Sequence, residues 1–247
     1  MTRWKACAIH FSISLLIFLL LLAVIWGLWY PGILFSIDRG WNGLRILIGV
    51  DLVMGPLLTL AVFRAGKPGL KFDLTCIAIA QALCIAGGMW VVQQERPLAV
   101  VLAYDTIYSV SAKEFADYGQ DPAILDSIPG STPKFIYVDL PENPIAADIA
   151  NVRSTFGLDQ PLFIKTDLYK AMPPAGEELA SIFRFEKSVR DRFAEDYSES
   201  LAETCQLSQF ISAVTSGYVC FDSTRRALTS FYVGRSPAVG SEAISED

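Results

Sequence analysis

Three long apolar runs fill the first ninety-odd residues, and shorter mixed patterns fill the rest. The first run goes from about Ala6 to Tyr30 without a charged residue; His10 and Ser12 are its most polar members. As a helix rising ~1.5 Å per residue, it spans the ~30 Å hydrocarbon core of a bilayer with some tilt. Arg3 and Lys5 precede it, as in a signal peptide, but bulky Ile25, Trp26 and Trp29 stand where cleavage needs small residues. The expectation is an uncleaved anchor ending in an aromatic belt of Trp26, Trp29 and Tyr30. Two further runs, from about Leu44 to Phe63 and from about Leu74 to Val92, complete the pattern. It predicts three transmembrane helices over about 6–30, 44–63 and 74–92, within a membrane region of residues 1–96.

From residue 97 the pattern is that of a water-soluble α+β domain, expected over 97–235. Leu98–Tyr104 and Thr106–Val110 are apolar and β-prone. Ser111-Ala-Lys-Glu114 reads as a capping box opening a short helix that Gly119 stops. Lys134–Leu140 reads as a strand ended by Pro141, and 144–156 as a helix with Gly157 at its C-cap. Leu162–Lys165 is a short strand candidate, and Gly176–Phe193 has the spacing of one charged amphipathic helix. Tyr218–Phe221 and Leu228–Val233 read as strands around a turn at Asp222–Arg225. The small, acidic residues 236–247 read as a flexible tail.

Composition sharpens the division. Of the 247 residues 52% are hydrophobic, and mean hydropathy is +0.39. Residues 1–96 hold 8 basic and 4 acidic residues, a net +4, whereas 97–247 hold 12 basic and 22 acidic, a net −10. The acidic half argues against nucleic acid as a partner, since phosphate binding needs a basic surface. The basic residues of the oily half orient it. The loop between the second and third runs carries Arg64, Lys67 and Lys71, which the positive-inside rule places in the cytoplasm. Arg3 and Lys5 place the N-terminus there as well. The two placements agree if one pair of spans separates them, and the third span then delivers the soluble domain outside the cytoplasm.

One carboxylate lies where lipid is expected. Asp51 sits in Gly49-Val-Asp51-Leu-Val-Met-Gly55-Pro56. An ionisable side chain in a span is costly and is a functional candidate by default. Gly49 and Gly55 leave room for close helix approach, and Pro56 removes a backbone donor about one turn after Leu52. Two readings stay open: a polar contact with another helix, of this chain or a partner, or an internally bonded Asp that holds the bundle together. Arg45 is expected to snorkel, and Asp73 to cap the third helix.

Five cysteines test the arrangement. Cys7, Cys76 and Cys84 fall in the apolar half, the latter two eight residues apart as small packing residues of one helix face. Cys205 and Cys220 alone fall in the soluble half, where an oxidising compartment favours a disulfide. The alternative is two separate buried thiols. The sole His, His10, lies in the first run, so a Ser-His-Asp, Cys-His or His-metal site in the soluble domain is excluded. No P-loop, G-x-S-x-G or G-x-G-x-x-G occurs. Glu177 with Glu178, or Asp191 with Glu195, read as solvated helix faces rather than acid/base pairs. The expectation is a non-enzymatic protein without cofactor or metal. A membrane-anchored envelope enzyme using serine–lysine or paired-carboxylate chemistry, or an extracytoplasmic sensor, is the alternative.

The string Val50-Asp51-Leu-Val-Met-Gly55-Pro56-Leu-Leu-Thr-Leu60, followed by Gly66-Lys67-Pro68-Gly-Leu70-Lys71-Phe72-Asp73-Leu74, Gln81 and Arg96-Pro97, resembles the TfpX/TfpZ family of type IV pilin accessory proteins. The likeness is densest over residues 42–97. Cys205, Cys220 and Val233-Gly234-Arg235 carry it in the soluble half. The resemblance implies a multi-pass protein of a Gram-negative inner membrane with a periplasmic C-terminal domain. It implies a role in type IV pilin assembly or pilus dynamics, exerted by contact with pilin or the pilus machinery.

Overall fold

The computed structural model describes residues 2–38, 40–198, 200–202 and 204–234. Arg39, Arg235 and the expected tail 236–247 lie outside the described residues. The chain divides into two compact units. One comprises Met1–Leu98, Ser111–Pro122 and Ser131–Pro133; the other comprises Ala99–Val110, Ala123–Gly130 and Lys134–Asp247.

In the first unit α1 (Arg3–Val24) continues as a π-helical turn over Ile25–Trp29, and α5 covers Leu70–Glu95. Both are long and apolar enough to cross a membrane by length and composition. The second apolar run is built differently from the single helix expected. After α2 (Leu34–Ile37), α3 (Gly40–Leu47) runs into a π-helix over Ile48–Met54, which gives way to α4 (Gly55–Val62). Pro56 explains where the pattern changes. It has no N–H to donate, and a first-turn position in a new α-helical segment tolerates that loss.

Large apolar side chains on α1 and α5 point outward, including Leu16, Leu20, Leu83 and Trp90. Ile25, Tyr30, Phe35, Leu44 and Val92 form an internal cluster. Tyr30 is fully buried there rather than standing in an outer aromatic belt, whereas Trp26 is exposed. Arg96 lies 5.4 Å over the Trp29 ring. Asp73 does not cap α5: Gly69, at φ 81°, holds the N-cap position, and Asp73 pairs with Lys67 at 2.5 Å. Cys76 and Cys84 are exposed instead of packed. α6 (Ala112–Asp117) opens on the expected capping box, Ser111 with Glu114.

The second unit is built on a seven-stranded mixed sheet of order β4-β3-β1-β2-β5-β6-β7. The strands are β1 (Pro97–Ala103), β2 (Thr106–Ser111), β3 (Lys134–Val138), β4 (Tyr169–Ala171), β5 (Cys205–Ile211), β6 (Ser216–Asp222) and β7 (Ala227–Val233). A two-residue turn joins β1 to β2, with Tyr104 at φ 60°. β1 pairs parallel with β3 and β2 parallel with β5, while β3–β4, β5–β6 and β6–β7 are antiparallel. The central strands β1 and β2 are almost wholly buried, as expected when both faces are covered.

Two expectations for this unit fail. Leu162–Lys165 is a 3-10 turn over Leu162–Ile164, and the strand beside β3 is β4 instead. The helix over Gly176–Phe193 is two, α8 (Glu177–Ile182) and α9 (Glu186–Asp196). At the break Phe183 is buried facing Phe221, while Phe185 stacks on Tyr104. The remaining helix, α7 (Pro144–Thr155), opens on an Asn143 cap and ends before Gly157 at φ 66°, as its sequence foretells.

Candidate functional site

The apolar helices of the first unit are tied together by polar side chains. Asp51, 4% exposed, sits in the π-helical stretch. The Ser14 hydroxyl, from α1, donates to Asp51 Oδ1 at 3.1 Å, and the Gln81 amide, from α5, donates to the same oxygen at 2.8 Å. Ser14 and Gln81 are themselves buried. Two turns further along α4, Thr59 and His10 Nδ1 share a hydrogen bond of 2.5 Å, its direction set by the imidazole tautomer. Each of the three apolar segments therefore contributes to one polar seam. In an apolar medium such bonds matter because the alternative is an unsatisfied buried group.

The two glycines flanking Asp51 have different surroundings. A Cβ on Gly55 would fall on the Gln81 side-chain amide, with Cδ at 2.8 Å, so the bare backbone of Gly55 is what admits Gln81 to Asp51. Gly49 is exposed, and its Cβ position meets nothing within 4 Å. Asp51 thus bonds to neighbouring helices of its own chain, a contact that both readings of its sequence allow. Pro56 is buried beside Gly55 at the π-to-α change, a kind of irregularity that concentrates at functional positions. Of the loop's basic residues, Arg64 and Lys71 are exposed and Lys67 is engaged by Asp73.

Sequence reading missed Ser14, Gln81 and Thr59 as parts of this seam. The signal was faint: His10 and Ser14 are four apart, and Asp51 and Thr59 eight apart, spacings that return to one helix face.

In the second unit Cys205 and Cys220 form a disulfide between β5 and β6, with Cα atoms 5.3 Å apart. Its loop of 15 residues corresponds to about 3 kcal/mol of stabilisation in the chain-entropy account. The bridge lies in a cluster with Val189, Phe193, Leu207 and Tyr218. α9 is bonded onto the same strand: Arg190 donates to the Cys205 carbonyl at 2.6 Å, and Glu186 accepts from the Leu207 N–H at 2.9 Å.

The same unit has a cleft of about 570 Å³ over the C-terminal ends of β1 and β3, where open α/β sheets commonly receive ligands. Tyr104, Asp139, Glu142, Glu178, Arg184 and Phe185 are among its walls. Arg184 is fixed there by donating to the carbonyls of Pro141 (2.8 Å) and Glu142 (3.3 Å), and it lies 5.1 Å over the Phe185 ring. Tyr104 stacks on Phe185, centroids 3.9 Å apart, and donates to Asp148 at 2.7 Å. Burial, and then this bond to a carboxylate, pushes its hydroxyl pKa up to about 12. Among the described residues no three His, Cys, Asp or Glu side chains converge as a metal site requires. Glu177 and Glu178 stand exposed in the first turn of α8, where carboxylates suit the helix dipole.

Comparison with known proteins finds likeness to three fimbrial assembly proteins of Dichelobacter nodosus. That of serogroup I is 31% identical over 134 residues, 53% of this chain and 49% of its own length. That of serogroup E1 is 30% identical over 134 residues, with the same coverage. That of serogroups C1 and C2 is 33% identical over 110 residues, 43% of this chain and 83% of its own length. The chain spans about half the length of the first two relatives. No family model and no solved structure matches it.

Proposed function

We propose, because this chain belongs to the family of fimbrial assembly proteins, that it is an accessory of type IV fimbrial biogenesis acting by contact rather than by catalysis. The observation that carries the reading is the 33% identity to the serogroup C1 and C2 protein across 83% of that protein. The finer likeness to the TfpX/TfpZ accessory proteins, carried by residues 42–97, belongs to the same proposal.

In this reading the three apolar segments lie in the inner membrane as three spans. The N-terminus and the Arg64–Lys71 loop face the cytoplasm, and the sheet domain faces the periplasm. Two features support it. The outward side chains of α1 and α5 are apolar, as lipid-facing surfaces must be. A disulfide bonds the sheet domain, as is common in an oxidising compartment. The polar seam of Ser14, Asp51, Gln81, His10 and Thr59 holds the spans in register, so that the protein presents a defined surface to the fimbrial subunit or its machinery. No nucleophile, metal or cofactor enters the mechanism.

Deletion of the gene in its native bacterium tests the reading. Surface fimbriae are expected to fall at least several-fold while the fimbrial subunit is still made, and the wild-type gene should restore them. Unchanged fimbriae and twitching motility in the deletion strain would sink the proposal.

A further inference from the structure

We propose that α7 is a pairing helix through which two copies of this chain associate side by side and in parallel. Three large apolar residues along it, Ile145, Ile149 and Val152, and Phe156 at its C-cap, are 50–75% exposed. A contiguous apolar stripe on a water-facing helix marks an interaction surface. Their spacing of four, three and four is that of a coiled-coil seam, with Ile145 and Val152 at d and Ile149 and Phe156 at a.

Burial along the helix follows the same register. The f residue Ala147 is fully buried against the chain's own domain. The f residue Ser154 is half-buried and accepts the Leu162 N–H at 2.9 Å. Ala150 and Asn151, at b and c, are half-buried as well. Every exposed residue from Ile145 to Phe156 is therefore an a, d, e or g residue. The helix keeps its back on the domain and turns a complete seam outward.

Charge selects the occupant and its direction. Asp148 is at g and Arg153 at e, five residues apart, both exposed. In a parallel pair the g residue of one helix meets the e residue of the next heptad on its mate, so a second copy supplies Arg153 to Asp148 and Asp148 to Arg153. In an antiparallel pair g positions flank g and e positions flank e, so Asp148 and Arg153 would lie on opposite sides of the seam and would not meet. One short helix per copy falls below the roughly 1,200 Å² of a stable soluble interface. Pairing is accordingly expected of the full chain held in its membrane, where tethering raises effective concentration, and not of the dilute domain.

The test uses the full chain in its native envelope, with Cys7, Cys76 and Cys84 replaced by Ala and the Cys205–Cys220 bridge kept. Ile145→Cys and Phe156→Cys should each give disulfide-linked homodimers on mild oxidation. Glu177→Cys, exposed on α8, should not. Antiparallel pairing would leave Ile145 about 16 Å from its own counterpart, eleven residues at ~1.5 Å each, and both cysteine variants would stay monomeric. D148R and R153D should each lower the dimer yield on the order of fivefold, as the loss of two exposed ion pairs implies. The double swap should restore the yield to within about twofold. Tyr104→Phe removes the internal bond to Asp148 without changing charge and should leave the yield unaltered. Monomers throughout, no rescue by the double swap, or adducts with a different protein alone would overturn the proposal. Sedimentation of each variant with membranes reports anchoring separately, so a failure of pairing is distinguishable from a failure to insert.

Discussion

Asp51 is where sequence and structure meet most closely. Its place in an apolar run marks it at sight, but its role depends on two residues that carry no such flag. Gln81 reaches it across the bare backbone of Gly55, and Ser14 reaches it from α1. Gly55→Ala puts a methyl group where the Gln81 amide lies, so the amide must withdraw and the Asp51 oxygen loses one donor. We expect the apolar unit to be destabilised by about 1–2 kcal/mol, as for other buried groups left under-satisfied. The midpoint of thermal unfolding of the full chain in detergent measures it. Gly49→Ala, at an open position, should be near neutral; equal effects at the two glycines would refute this account. The sequence showed that both glycines flank the carboxylate. It did not show which of them faces a neighbour, because that depends on how three helices rotate against one another.

Among the elements, α7, the β1–β2 turn and the α8–α9 break are joined through Tyr104. It sits in the turn at positive φ, donates to Asp148 on α7, and stacks on Phe185 at the break. The bond requires a protonated phenol, and its pKa is raised from 10.0 to about 12. A raised folded-state pKa means stabilisation fully present below about pH 10 and lost as pH climbs through 12. Tyr104→Phe should flatten part of the fall in unfolding free energy between pH 10 and 12, measured by denaturant titration of the full chain. Tyr108, Tyr137 and Tyr218 are also shifted upward by burial, and Lys170 by its bond to Asp139, and these contribute to what remains. An identical pH profile in wild type and variant would remove Tyr104 from this role. The same residues show why one long helix was expected from 176 to 193 and two short ones formed. Apolar spacing is nearly continuous across Phe183 and Phe185, but one ring faces Phe221 and the other Tyr104. No single helix serves both directions.

For the whole molecule, the proposed orientation rests on Arg3, Lys5, Arg64, Lys67 and Lys71, all carried by the apolar half. The proposed arrangement makes a direct prediction. Alkaline phosphatase, active only when exported, should be active when fused after Val233 and inactive when fused after Lys67. The reverse result would invert the topology and place the Cys205–Cys220 bridge in a reducing compartment.

The amino-acid sequence by itself determined the apolar half, the capped helices α6 and α7, and the strands β1, β2, β3, β6 and β7. All of these follow from local hydrophobic period, turn chemistry and composition. Tertiary structure alone decided the rest. β5 carries Gln and Ser among its apolar residues and became a strand by pairing along its length with β6 and, at its end, with β2, roughly a hundred residues away. Leu162–Ile164 stayed out of the sheet, and β4, further along the chain, pairs with β3 instead. The π-helical stretch around Asp51 lies just before Pro56, where the hydrogen-bond pattern has to restart. The seam of Ser14, Asp51, Gln81, His10 and Thr59 exists only once three helices are set side by side, since each residue alone is one polar group in an oily run. Local pattern selects which element a segment forms. Which of its faces meets a neighbour is settled by packing and by the need to satisfy buried polar groups, and both involve residues far apart along the chain.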